Sequence, residues 1–549
     1  MSTGAAFLTR RDDAAVFTPE SFDEEALGLF EAARRFQDEV VWPQRDAIEA
    51  KAPGVLEALM DQAAELGLTA IDLPESHDGL GLALPVATRV LETVAREQSF
   101  MLTLMVHNGI GSQPLALFGT DAQRAQWLPA FASGTRRGCY CLTEPGSGSD
   151  ALAARTTARL DGDHWVLDGT KQFITNAGIA HVGFVFARVT TPVDGKSGFS
   201  CFVVPLDAPG VRLGAEEHKL GIKGSSTRQV ILEGARIPAD HVLGEIGRGH
   251  VIAFNILNNG RYKLGAAALG SAKYALDAAI AYAAERRQFG RPVLDFGMLR
   301  RKVGQAAADI YAVESAIYRA GGDIQAHAAA AGGTPQARLA ALQEHAAECS
   351  IAKIAGSELL GVVADEALQM FGGYGFLEEY PAARYVRDAR IARIYEGTNE
   401  VNRLVLPRTV VKKITAGELT LEAGGTDPAA PLRACVQVSL AAVMDAHGTG
   451  AGFDADQELM AHLSDQMVAL YLADSVVRRV ANHPAAQGVH QDVCALVLAQ
   501  QGRRIGTLAA EIGAHLGREL PVPPAASVDV LGLRVRIAAA VVERGACTL

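Results

Sequence analysis

Trp165-Val166-Leu167-Asp168-Gly169-Thr170-Lys171-Gln172-Phe173-Ile174 separates two helix-rich regions of unequal length. Its ends are aromatic and β-branched, and Asp168-Gly169 is a pair favoured in tight two-residue turns, so a hairpin is expected there. His181 to Val189, Phe199 to Pro205 and Gln229 to Leu232 are further short runs of the same character, the last lying just before Arg236-Ile237-Pro238. Short strands with Gly and Pro punctuation, beginning near Cys139, predict a small β-domain.

Outward from this centre the pattern is helical. On the N-terminal side, Glu25 to Ile48, Pro53 to Leu66 and Leu84 to His107 carry apolar residues at three- and four-residue spacing, with a Gly/Asp/Pro/Ser loop at Pro74 to Gly81. On the C-terminal side, Val251 to Arg286, Asp295 to Gln325, His345 to Phe371 and Asn399 to Ala416 are long enough for an antiparallel bundle. Thr415 to Pro431 reads as a linker, and Leu432 to Leu549 as a second Ala-rich helical block. The expected organisation is α+β and mostly α. It comprises an N-terminal helical domain over 1–138, a middle β-domain over 139–248, a four-helix bundle over 249–414, a linker over 415–431 and an extra helical domain over 432–549.

Composition narrows the function classes. The 549 residues are 49% hydrophobic and 21% charged, a globular balance. The net charge of −11 argues against nucleic acid as a general partner, because phosphate contacts need a surplus of Lys and Arg. Seven cysteines, an odd number with no CxxC pair, indicate neither a zinc site nor a disulfide framework. Met1 to Glu25 lacks a basic region followed by an apolar one, and no apolar run approaches the ~20 residues that span a bilayer, so a cytoplasmic location is expected.

Two segments carry chemistry by residue type. In Leu142-Thr143-Glu144-Pro145-Gly146-Ser147-Gly148-Ser149-Asp150, small residues let backbone N–H groups and hydroxyls approach an acceptor-rich ligand; an ordinary surface turn would look the same. In Tyr395-Glu396-Gly397-Thr398-Asn399-Glu400, Thr398 is a good N-cap and Gly397 permits a tight entry to the next helix. Glu396 is then either a general base facing a cleft or a solvated carboxylate near a helix start. Neither a Rossmann GxGxxG nor a P-loop is present.

Cys141 to Asp150 resembles the first signature of the acyl-CoA dehydrogenase family, and Gln369-Met370-Phe371-Gly372-Gly373-Tyr374-Gly375-Phe376 the second. Arg387-Asp388 leading to Tyr395-Glu396-Gly397-Thr398 is similar to the family's catalytic segment, and Glu285 to Gly290 to a further flavin element. The likeness runs from about Phe17 to Lys413. The C-terminal extension and Asn255 to Arg261 resemble the long-chain and very-long-chain branch, bacterial members in particular.

The resemblance implies FAD as cofactor and places its ring between the β-domain and the bundle. Cys141, Leu142, Thr143, Gly148 and Ser149 would line one side, and Phe173, Ile174 and Thr175 the other. Many relatives have Trp where Phe173 stands, so an indole N–H contact is excluded. Arg286, Gln288 and Phe289, together with Gln369, Gly372 and Gly373, would hold pyrophosphate and adenine from a neighbouring subunit of a homodimer or tetramer. Thr398 and Glu400 would add flavin contacts. Substrate would meet Ser149, Asn258, Arg261, Tyr395 and Gly397.

In this reading Glu396 takes the α-proton of a fatty acyl-CoA while hydride leaves the β-carbon for the flavin, giving trans-2-enoyl-CoA. Electrons pass on to an electron-transfer flavoprotein. Some relatives carry the base on the helix of Arg261, but the corresponding position here is Gly260. Met101 to Val106 contains no carboxylate or amide, which favours a long acyl chain. Two alternatives remain: an acyl-CoA oxidase using O₂, and a DNA-associated relative of the fold with weak dehydrogenase activity. Membrane contact by the tail is left open.

Overall fold

The computed structural model describes residues 4–9, 15–422, 424–482, 488–525 and 527–549. The chain forms two compact units. One comprises Glu25–Lys263 with Ala328–Leu342; the other comprises the N-terminal residues through Glu24, Leu264–His327 and Gln343–Leu549.

In the first unit, helices run from Glu24–Arg35 to Asp121–Ala132. The single helix expected over Leu84 to His107 is two, Leu84–Thr93 and Gln98–Asn108. Glu97 causes the break: it adopts an extended conformation and its carboxylate accepts from the Phe100 N–H at 2.6 Å, starting a new helix. Every residue of Gln98–Asn108 is buried, which is why that segment shows no polar face.

Eight strands follow: β1 Gly138–Cys141, β2 Thr157–Asp161, β3 His164–Thr175, β4 Val182–Val193, β5 Lys196–Pro205, β6 Val211–Leu213, β7 Thr227–Pro238 and β8 Val242–Leu243. The order is β6-β7-β3-β2-β4-β5-β8, with β1 pairing parallel to β4. The hairpin expected at Asp168-Gly169 is absent; β3 continues past it, with a register shift against β7 between Leu167 and Gly169. The turn lies one Asp-Gly earlier, where Asp161 pairs with His164 across Gly162 and Asp163, and Gly162 has φ 65°. Gly169 serves a different need: a Cβ there would collide with Thr156.

The face of β3 alternates, with Trp165, Leu167 and Lys171 buried, until a register shift between Lys171 and Ile174. The bulge inverts the alternation. Phe173 turns outward at 62% exposure with φ 57°, and Ile174 turns into the core beside Cys139 and Cys141.

In the second unit, the bundle segments are the Gly249–Glu285 helix from Leu264 onward, the Gly297–Ala330 helix through His327, Ala346–Phe371 and Asn399–Thr415. Gly265 and Gly356 let two of them touch backbone to backbone, since a Cβ on either would overlap the other helix. The tail helices Ala430–His447, Gln457–Asn482, Val489–Leu516 and Val530–Arg544 belong to the same unit. Buried ion pairs tie them to the bundle: Arg319 to Asp474 at 2.7 Å and Arg479 to Glu314 at 2.8 Å. Residues 4–9 and 15–24, grouped by sequence with the N-terminal helices, also belong here. Arg433 Nε donates to the Phe7 carbonyl at 3.1 Å, Gln437 Nε2 to that of Leu8 at 2.6 Å, and Phe7 meets Tyr471 edge-on.

Candidate active site

The Leu142–Asp150 loop leaves β1 and is built around one carboxylate. Glu144 is buried and accepts from the Arg155 N–H at 2.6 Å, the Thr156 N–H at 3.0 Å and Lys171 Nζ at 2.7 Å. Burial raises its pKa, but the Arg155 N–H, Lys171 and the Thr156 N–H prevail and hold it at about 2. Lys171, with no exposure, is itself pulled down by burial and only partly restored by Glu144. Burial works against the ammonium while the three donors favour the carboxylate; the hydrogen-bond geometry supports a charged Glu144.

Lys171 also donates to the Leu142 carbonyl at 3.3 Å, and the Gln172 N–H to that of Thr143 at 2.8 Å. The loop closes on itself through paired N–H···O bonds between Glu144 and Ser147. This leaves Gly148 and Ser149 exposed and Thr143 half-buried, and Phe173, next to Gln172, is exposed as well. Cys141 and Ile174 point the other way, into the core, so only their main chain is available to a ligand. Leu142 is buried and Thr175 half-buried. In the same unit, Asn258 and Arg261 stand one turn apart and are buried; Arg261 Nη1 donates to Asn258 Oδ1 at 2.9 Å.

In the other unit, the turn after the short helix Arg390–Arg393 carries Tyr395, Glu396 and Gly397. Glu396 has φ 56°, a left-handed conformation that costs a side-chain-bearing residue roughly 1–2 kcal/mol, and Gly397 follows at φ 79°. Its Oε2 is shielded from solvent. Burial, then the nearby Glu396 and Asp388 carboxylates, push the Tyr395 phenol upward, so it stays protonated. Thr398 caps the next helix by accepting from the Val401 N–H at 3.2 Å. Glu400 is exposed at that helix start, its pKa lowered by its own N–H and the Thr398 hydroxyl.

The remaining residues converge in one place, although about 80 positions separate them in sequence. Arg286, Gln288, Gln369, Gly372 and Gly373 line a cleft of about 560 Å³, with Tyr374 at its wall. The Arg286 guanidinium lies 5.4 Å from the Tyr374 ring centre. Neither Gly372 nor Gly373 has an atom within 4 Å of where a Cβ would be, so their backbone faces open space. Phe289 lies outside this cleft. It sits at the tip of a hairpin, β9 Arg287–Gln288 and β10 Arg291–Pro292, with φ 52° and 93% exposure.

Residues 23–135, 139–235 and 247–411 match the family models of the acyl-CoA dehydrogenase N-terminal, middle and C-terminal domains. A probable acyl-CoA dehydrogenase of Bacillus subtilis is 41% identical over 87% of this chain and 84% of its own. The chain belongs to the acyl-CoA dehydrogenase family. Members are oxidoreductases acting on the CH–CH bond of acyl-CoA. An acyl-CoA dehydrogenase from Bacillus anthracis, solved complexed with FAD, superposes with a TM-score of 0.92 at 35% identity, covering 100% of both chains, the tail included.

Two specialised relatives bracket this family member. The bovine mitochondrial short-chain specific enzyme is 40% identical over 65% of this chain and 82% of its own. The very long-chain specific enzyme of Macaca fascicularis is 38% identical over 68% of this chain and 56% of its own. Identity therefore does not rank the chain lengths. No helix among the described residues is long and apolar enough to cross a membrane.

Sequence reasoning gave no role to Lys171, Glu144 or Tyr374 in this acyl-CoA dehydrogenase. A signal for Lys171 existed: it shares the inward parity of Trp165 and Leu167, and a buried ammonium demands a carboxylate.

Proposed function

We propose that this chain catalyses the FAD-dependent α,β-dehydrogenation of long-chain fatty acyl-CoA to trans-2-enoyl-CoA and hands the electrons to an electron-transfer flavoprotein. The observation that carries the reading is Glu396, held in a left-handed turn with one carboxylate oxygen shielded from water. A carboxylate is fixed in a costly backbone conformation when its direction matters more than its comfort.

The residues present suit FAD. Arg286 supplies a planar, permanently charged donor for a pyrophosphate, the bare Gly372-Gly373 backbone lets a phosphate or ring approach closely, and Gln288 and Gln369 offer amide contacts in a cleft of about 560 Å³. Phe173 offers an exposed aromatic face, one residue after the Gln172 N–H that bonds to the Thr143 carbonyl of the Leu142–Asp150 loop. When bound, FAD supplies the acceptor for hydride from the substrate's β-carbon.

The chain's own residues do the rest. Glu396 takes the proton from the α-carbon onto a carboxylate oxygen, and its backbone N–H would donate to the thioester oxygen as negative charge develops there. Tyr395, kept protonated, cannot compete for that proton. Asn258 and Arg261, bonded to each other and buried, orient the acyl-CoA stem. Exposed Phe289, Phe376 and Met298, all close in sequence to the cleft-lining residues, favour a homodimer in which the partner covers them.

Glu396→Gln is expected to keep FAD yet abolish anaerobic flavin bleaching by acyl-CoA; persistent bleaching removes Glu396 from the role. The long-chain preference is supported by the buried Met101 to Val106 segment, which holds no carboxylate or amide, since each CH₂ buried in apolar surroundings is worth ~0.8 kcal/mol. Hexadecanoyl-CoA should be turned over with the higher kcat/KM, and a preference for butanoyl-CoA defeats it.

A further inference from the structure

Glu358 lies on the Ala346–Phe371 helix and has no place in the reaction as described. Its two oxygens go to opposite sides of the base-bearing turn. Arg393 Nε donates to Oε2 at 2.8 Å and Asn399 Nδ2 to Oε1 at 2.7 Å. Arg393 stands three residues before Glu396 and Asn399 three residues after it.

Both arms are built in. Arg393 lies across Gly361, one turn along the same helix, where any side chain would collide with the guanidinium. Asn399 is buried, and its Oδ1 accepts from Lys353 Nζ and from Ser357 Oγ, both fully buried. Four residues of one helix, Lys353, Ser357, Glu358 and Gly361, thus face the two ends of the turn. Between those ends, the Ile394 and Tyr395 N–H groups bond back to Ile391, and Asn402 Nδ2 reaches the Gly397 and Thr398 carbonyls.

We propose that Glu358 is a positioning residue for proton abstraction, a single carboxylate that clamps the chain on either side of Glu396 and keeps its left-handed backbone from relaxing. The proposal rests on Glu396 being the base. An isolated turn would leave φ 56° for an ordinary conformation at no steric cost, carrying the carboxylate with it. Asn399 is also held by Lys353 and Ser357, whereas Arg393 meets the helix through Glu358, so the carboxylate is what joins the two arms. The substrate is not touched, so binding of the acyl-CoA should survive loss of the clamp while the chemical step does not.

The test compares FAD-loaded wild type, Glu358→Ala, Glu358→Gln, Arg393→Gln and Glu396→Gln by anaerobic stopped flow, using hexadecanoyl-CoA and butanoyl-CoA. Glu358→Ala is expected to slow flavin bleaching at saturating substrate roughly 10- to 100-fold, the usual cost of a catalytic group displaced by about an ångström. The half-saturating substrate concentration and the FAD content should stay within about twofold. Glu358→Gln keeps an oxygen for Asn399 but offers Arg393 no second acceptor, so it should fall between wild type and Glu358→Ala. Arg393→Gln should resemble Glu358→Gln, and the Glu358→Ala/Arg393→Gln double variant should be no slower than Glu358→Ala.

Wild-type bleaching in Glu358→Ala, or single losses that multiply in the double variant, overturns the clamp. If Glu358→Ala fails to retain FAD, unchanged bleaching in both Glu358→Gln and Arg393→Gln does the same. Bleaching that persists in Glu396→Gln is a different failure, that of the base assignment itself.

Discussion

Replacing Glu144 by Gln should damage the flavin-side loop without touching any exposed surface. The carboxylate accepts from Lys171, the Arg155 N–H and the Thr156 N–H, and its pKa is held at about 2 against an ordinary 4.5. At 1.36 kcal/mol per tenfold change in proton affinity, that difference stabilises the folded state by about 3 kcal/mol at neutral pH. Breaking a buried ion pair by removing one partner costs ~3–5 kcal/mol, which agrees. Lys171 would be left with a neutral amide and the Leu142 carbonyl. Because the folded pKa is depressed, the stabilisation is fully present above 4.5 and disappears as pH falls through about 2. Thermal melts of wild type and Glu144→Gln, each with and without added FAD, are the assay. The variant should melt roughly 5 °C or more lower at pH 7, lose FAD on gel filtration, and close the gap with wild type between pH 4.5 and pH 2. A variant that melts with wild type at pH 7 and retains its flavin refutes the view that this carboxylate holds the loop.

Two further perturbations separate stability from function. Burial raises Glu348 to about 7, against the smaller lowering by the Ala5 N–H bond at 2.6 Å, while its other oxygen lies 3.8 Å from His345. A raised pKa means that stability present below 4.5 is lost as pH rises through about 7. Glu348→Gln, whose oxygen can still accept from Ala5, should therefore be more stable than wild type at pH 8, by up to about 3 kcal/mol, and equal to it near pH 4.5 in urea titrations. Phe289 and Gly290 form a two-residue turn with positive φ at both positions, a geometry that prefers Asn-Gly. Phe289→Asn should raise the melting temperature of the FAD-free protomer, by about 1 kcal/mol of relieved strain, yet weaken FAD retention and subunit association; equal FAD retention would show that the ring is not used.

The helices and the β-domain were legible because their periodicities and capping residues act locally. Thr398 caps the helix it was expected to cap, and four long helices end within a few residues of their expected limits. Three things were not legible, each for a non-local reason. Asp168-Gly169 looks like a turn, but Gly169 is required by the close approach of Thr156 and the hairpin uses Asp161-Gly162 instead. The break at Glu97 depends on a carboxylate that abandons the helix to cap the next one. The N-terminal residues contain nothing to indicate that Phe7 and Leu8 bind Arg433 and Gln437, more than 400 positions away. Within the site, Arg286 and Gln369 come from two separate motifs and line one cleft, while the supports Lys171, Glu358 and Arg393 carry no motif. Their identity follows only from what they hold.

Backbone strain offers a route to the site that does not depend on motifs. Among the described residues, nine that are not glycine have positive φ, and Phe173, Phe289 and Glu396 are three of them. A bulky residue in that region is held there by its surroundings, and a folding sequence would ordinarily replace it by Gly or Asn. The two phenylalanines are also among the most exposed large apolar side chains, so neither burial nor local comfort explains them. Phe289 gains one edge-on contact with Phe296 inside the protomer, and the exposure that remains on both rings points to contacts with a bound group or a partner surface. For Glu396 the argument is sharper, because Gly397 beside it is also left-handed: the turn needs positive φ at both positions, and one of the two carries a side chain. The anchors at Arg393 and Asn399, with their common carboxylate on Glu358, hold that locally unfavourable turn in place.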